Sequence, residues 1–148
     1  MSFRATNILP QKGYDQAKKI ATNLKRFANK RSADLAGGGD SDQVLGTVDS
    51  MILFRQQLNE VATIPGIGEY AQAQENDPAY DVAAEFVALL SLIDAVITEV
   101  VSTFPIDGSG FLLAYTMNPD GTQVARTFSI AQMLNLRAAL DAVDTGVS

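Results

Sequence analysis

The stretch that decides the fold is Asp77–Thr103, DPAYDVAAEFVALLSLIDAVITEVVST. Asp77 followed by Pro78 is a strong helix start, with an oxygen to cap the first turn and a ring that presets φ. The run that follows is apolar nearly all round. Its polar residues, Asp81, Glu85, Asp94, Thr98, Glu99 and Ser102, leave only a narrow stripe. A helix of this kind is expected at the centre of a bundle, covered by neighbours from its own chain or another. Phe104-Pro105 ends it. With Asp94 and Glu99 inside the apolar run, a membrane span is not expected.

Working outward toward the N-terminus, Pro65, Gly66 and Gly68 close an earlier helix over about 43–64. Its apolar set is Val44, Leu45, Val48, Met51, Ile52, Leu58, Val61 and Ala62. A short helical turn over 67–74 is expected after it. Ahead of it, Gly37-Gly38-Gly39 reads as a flexible link, with Asp40, Ser41 or Asp42 as the cap of the next helix. The glycines lack the Gly-Lys-Ser/Thr ending of a phosphate loop. Before them, Tyr14, Ala17, Ile20, Ala21, Leu24, Phe27 and Ala28 recur at helical spacing, so residues 13–36 read as a basic amphipathic helix. Residues 1–12, broken by Pro10, read as an extended arm. They have no apolar run of the signal-peptide kind.

Toward the C-terminus, two alternating, aromatic-bearing runs flank Asn118-Pro119-Asp120-Gly121, which predicts a β-hairpin over 110–128. Ser129-Ile130-Ala131-Gln132 fits a capping box at the start of a last helix over 130–144, with Ile130, Met133, Leu134, Leu136, Leu140 and Val143 apolar. The expectation is a single mainly α domain over 1–148. It is a bundle of about four helices with a helical core over 43–104, a short helix, and one hairpin before the last helix. A lone hairpin is marginal in water. It must therefore pack on the bundle or pair with another subunit, and Phe111, Tyr115 and Phe128 are candidate subunit contacts.

The 148 residues include no Cys, His or Trp. That removes disulfides, Cys/His zinc sites and triads built on His. Asp81 and Glu85 share a helical face, but nothing brings a second acidic pair to them, so they read as a solvated stripe. No catalytic residue, metal ligand or cofactor is expected, and the chain reads as a non-enzyme.

The net charge of −6 conceals an asymmetry. Residues 1–31 hold eight basic side chains against Asp15 alone, +7. Residues 32–148 hold three against sixteen acids, −13. Lys18, Lys19, Lys25, Arg26, Lys30 and Arg31 are therefore candidates for contact with nucleic acid or an acidic partner, including a second copy of this chain. A solvated face is the competing reading.

Val61-Ala62-Thr63-Ile64-Pro65-Gly66-Ile67-Gly68-Glu69-Tyr70-Ala71 resembles the turn of helix-hairpin-helix DNA-binding motifs, where Pro65, Gly66 and Gly68 would let backbone amides approach a phosphate. Glu69 and Glu75 stand where a basic residue would help, and Asp77-Pro78 interrupts the second helix early. The favoured reading is a turn that ends a helix.

Four features together resemble the small structural proteins of tailed bacteriophages. They are the basic helical start, the Ile64-Pro65-Gly66-Ile67 turn, Asp77-Pro78-Ala79-Tyr80-Asp81 opening an apolar helix, and a hairpin followed by Arg137-Ala138-Ala139-Leu140-Asp141-Ala142. The resemblance implies a virion component of head-tail connector or head-completion type. Such a component would be made in the host cytoplasm and assemble with copies of itself and other virion proteins. The alternative is a sequence-independent nucleic-acid binder using residues 1–31 and the Gly66–Gly68 turn.

Overall fold

The computed structural model describes residues 4–106, 108 and 112–147, with side chains from Leu9 onward. In chain order the elements are α1 (Arg4–Asp34), β1 (Gly39–Asp40), α2 (Ser41–Ala62), α3 (Ile67–Gln74), α4 (Val82–Thr103), β2 (Tyr115–Met117), β3 (Gln123–Ala125), β4 (Thr127–Phe128) and α5 (Ile130–Gly146). α1 packs on α2 and α5, and α4 packs on the same two helices. α1 and α4 therefore occupy opposite corners of a four-helix bundle. α3 lies across one end, against α1 and α4.

The helical periodicities select the core. Tyr14, Ala17, Ile20, Leu24 and Ala28 of α1 are buried, as are Val44, Met51, Leu58 and Val61 of α2. They meet Phe86, Leu89, Ile93, Val96 and Val100 of α4 and Met133, Leu136, Leu140 and Val143 of α5. Ile130 and Leu134, expected to belong to this set, are 52% and 55% exposed. They sit on the first turns of α5, where the helix turns that side away from its neighbours.

The caps follow local chemistry. Asp40 caps α2 in a reciprocal box with Gln43, and Ser129 caps α5 in one with Gln132. The long apolar helix starts later than the Asp77-Pro78 signal predicts. Asp77 accepts from Ala79 N–H and stabilises a separate turn, while Asp81 is the cap, accepting from Ala84 N–H. Two competing acidic caps stand four residues apart, and the second wins.

The extended arm is corrected as well. α1 already begins at Arg4 and runs through Pro10. Proline inside a helix removes one backbone bond. Here Pro10 is buried and packs over Gly66, which offsets that loss.

The hairpin forms at the expected turn. Tyr115 pairs with Ala125, Thr116 with Val124 and Met117 with Gln123. Gly121 N–H donates to Asn118 C=O, and Asn118 N–H to Thr122 C=O. The strand then leaves its partner. After Arg126, Thr127 and Phe128 pair antiparallel with Asp40 and Gly39. The hairpin is thus tied to the bundle through a two-residue ladder at the start of α2, while β2 and most of β3 stay exposed.

α4 is the largest departure from expectation. It is long and apolar enough to cross a membrane by length and composition, yet like its neighbours it buries one side only, through Val82, Phe86, Leu89, Ile93, Val96 and Val100. One side faces the core. Val87 and Val101 on the other are 63% and 45% exposed. Its own chain does not surround it, because it holds a corner rather than the centre.

Candidate functional site

The molecule presents three surfaces able to meet a partner: the basic side of α1, a cleft at the α3 end of the bundle, and the outward side of α4.

The six basic candidates do not act alike. Arg31 is structural. Its guanidinium donates to Gln43 C=O and to Thr47 Oγ1 at 3.1 Å, and it lies 5.2 Å over the Phe27 ring. It ties α1 to α2. Lys30 is paired with Asp34 one turn on, at 3.0 Å. Lys18 reaches Glu75 at 3.5 Å and covers the Tyr14 ring at 4.6 Å. Lys19, Lys25 and Arg26 are exposed, with no carboxylate within 4 Å among the described residues. Lys18, Lys19, Thr22, Asn23 and Arg26 line a shallow groove along α1. Arg31 is thus committed to α2, Lys18 and Lys30 keep exposed surface pairs, and Lys19, Lys25 and Arg26 stand on the polar ridge without one.

The Pro65-Gly66-Gly68 turn leaves Gly66 exposed beside an open pocket that Pro10, Glu69 and Tyr70 also line. Gly66 precedes the first turn of α3, Pro10 lies over it, and Glu69 adds an acid to that turn. α3 itself stops at Gln74. The turn works as a corner that packs on α1. Of the hairpin aromatics, Phe128 is buried edge-on against Phe104, with centroids 5.2 Å apart, so its contact is internal. Tyr115 is exposed and donates to Asp42 at 2.7 Å. Phe111 lies outside the described residues.

A cleft of about 340 Å³ lies between α1, the α3–α4 connection, the first turns of α4 and the end of α5. Tyr14, Tyr80, Phe86 and Leu89 give it an apolar floor, and Lys18, Glu75 and Glu85 its polar rim. The Tyr14 hydroxyl donates to Glu75. That bond, more than any other cause, holds the Glu75 carboxyl below its ordinary value. Burial, followed by the same carboxylate, raises the Tyr14 hydroxyl. Contact with Tyr14 raises Lys18. This is a charge clamp between α1 and the end of α3. No positioned nucleophile or second carboxylate pair accompanies it, and the described residues contain no cluster of metal-ligating side chains. Asp81 is occupied as a cap, and Glu85 stands exposed at the rim. Sequence reasoning missed this cleft because Lys18 and Glu75 are 57 residues apart and neither lies in a motif.

The clamp predicts the pH profile of stability. Glu75, and Asp120 beneath its bonds from Thr122, are depressed in the folded state. Their contribution is present above the ordinary carboxylate range and is lost as pH falls through their folded values. Tyr14, Tyr80, Tyr115 and Lys18 are raised. Their contribution is present below about pH 10 and is lost as pH climbs through the folded values. With no His or Cys, no side chain ordinarily titrates from about pH 6 to 8. The urea midpoint should be flat across that interval and fall on both sides. A slope at pH 7 contradicts this account.

On comparison with known proteins, the chain matches no family model, no curated protein and no solved structure.

Proposed function

We propose that this chain is a non-enzymatic assembly subunit that works as an oligomer in a larger particle. The observation that carries the reading is the corner position of α4, an apolar helix that leaves Val87 and Val101 exposed on its outward side. A soluble subunit gains by covering such a face with a neighbour, because apolar area removed from water is the main drive for association. The likeness of its segments to small tailed-phage proteins supports the finer assignment: a virion component of connector or head-completion type, contacting other virion proteins.

A second reading rests on a different surface. Lys19, Lys25 and Arg26 form an exposed cationic ridge on α1, at the corner opposite α4. It suits backbone phosphates of nucleic acid without base readout. Because the two faces point apart, one subunit can use both.

Light scattering after size exclusion, over a wide concentration range, tests the first reading. The expected result is a defined oligomer, and a strict monomer at high concentration that joins no particle overturns it. Adding duplex DNA to the same samples tests the second. Binding should weaken steeply with salt and disappear in a Lys19→Glu/Arg26→Glu variant. Binding that is absent at low salt, or that survives this reversal, removes it.

A further inference from the structure

We infer that the outer face shared by α2 and α4 is a seam that binds a second copy of this chain, with the two α4 helices antiparallel about a two-fold axis. The inference rests on the assembly reading and names its contact. Four observations converge on it.

The first is area. α4 alone is 22 residues, about 33 Å long and roughly 10 Å wide, which is too small a footprint for a stable dimer. α2 has the same length and lies beside it. Together the two rails offer about 700 Å² per copy, near the 800 Å² or so per partner of a standard interface.

The second is charge. The line between the rails is marked by Arg55 of α2 and Asp94 of α4, joined at 3.0 Å and 40% and 56% exposed. Such a surface pair has little value in water. It does neutralise the only charge that α4 presents on its α2 side. The third is self-complementarity. Asp94 sits within two residues of the middle of α4. A two-fold axis at that midpoint keeps the α2 side of one copy against the α2 side of the other. It sets each Asp94 beside the second copy's Arg55, closing a ring of two acids and two bases. Isologous contacts require this kind of self-pairing.

The fourth observation selects a protein rather than a lipid surface. The free cations Lys19, Lys25 and Arg26 lie on the opposite corner. A membrane-surface helix needs its cations flanking the apolar face that it buries. Immersing this face would also bury Asp94 and Arg55 in hydrocarbon. Pairing through α4 moreover keeps the two basic ridges on the far sides of the dimer, where they repel least.

The chain has no cysteine, so single cysteines report the geometry cleanly. Ser91→Cys, close to the axis, should cross-link to itself in a dimer of intact helical content. Ala84→Cys and Ser102→Cys, at opposite ends of α4, should cross-link with each other in a mixture and poorly alone. Val87→Lys should raise the dimer dissociation constant roughly tenfold or more. Arg55→Glu should weaken the dimer, and Arg55→Glu/Asp94→Arg should restore it. An oligomer that forms without these cross-links, and tolerates Val87→Lys, overturns the seam while the assembly reading stands. A monomer at every concentration overturns both. A monomer that floats with phosphatidylcholine vesicles and loses that binding in Val87→Lys assigns the face to lipid and overturns the seam.

Discussion

Ile93→Ala should lower the unfolding free energy by about 3–4 kcal/mol, within the range for truncating a buried aliphatic residue. Ile93 is fully buried near the middle of α4, where that helix faces α2 and α5 across the core. The truncation removes three carbons from contact and leaves a void whose lining comes from several helices, so local collapse recovers little of the loss. For a chain of 148 residues the melting temperature should fall by on the order of 10 °C. Val87→Ala on the same helix is the matched comparison. Its side chain is 63% exposed, and at dilutions where the chain is monomeric the cost should stay within about 0.5 kcal/mol. The contrast tests the rotation of α4 about its own axis. Equal costs at the two positions would mean that the helix is turned the other way and that the outer seam is misplaced.

That rotation is legible in the sequence only in part. In α1 the apolar residues alternate with Lys and Arg, so the pattern itself names the buried face, and Tyr14, Ile20 and Leu24 fall where expected. In α4 the narrow stripe of Asp81, Glu85, Asp94, Thr98 and Ser102 marks an outward side, but Val87 is as apolar as Ile93, so periodicity leaves the place of Val87 open. The hairpin was legible because Asn118-Pro119-Asp120-Gly121 dictates its turn from within four residues. The start of α1 departs from the extended arm expected over residues 1–12 because the local rule for Pro10 takes no account of packing on Gly66, 56 residues away. The same limit applies to the candidate sites. Charge type was readable, but Arg31 is held by Gln43 and Thr47 on another helix, and Lys18 by Glu75 at the end of α3. Which cations remain free is a tertiary property.

The glycine triplet leads to the other large prediction, because Gly38 does more than loosen the chain. Gly38 has φ of 102°, where an L side chain is strained by about 1–2 kcal/mol. A Cβ there would also stand 2.7 Å from the carbonyl oxygen of Phe128, a backbone atom held by the ladder between β1 and β4. A rotamer change cannot relieve that contact, so either the ladder or the turn must move. Overpacking of this kind typically adds 1–3 kcal/mol. Gly38→Ala should therefore cost roughly 2–5 kcal/mol, the sum of strain and clash. It should also loosen the hairpin, since Phe128 anchors the strand that follows it to Phe104 in the core. Gly37→Ala is the control. No atom lies within 4 Å of its added methyl, and its φ is outside the left-handed region, so the change should be neutral or stabilise by up to about 1 kcal/mol through the unfolded chain. Amide exchange at Thr127 and Phe128, read beside the urea midpoint, separates the two variants. Fast exchange in Gly38→Ala alone fits a close approach between β1 and β4. Equal behaviour of the two variants would mean that the triplet is only a flexible link, and that the hairpin is held to the bundle by something other than this two-residue ladder.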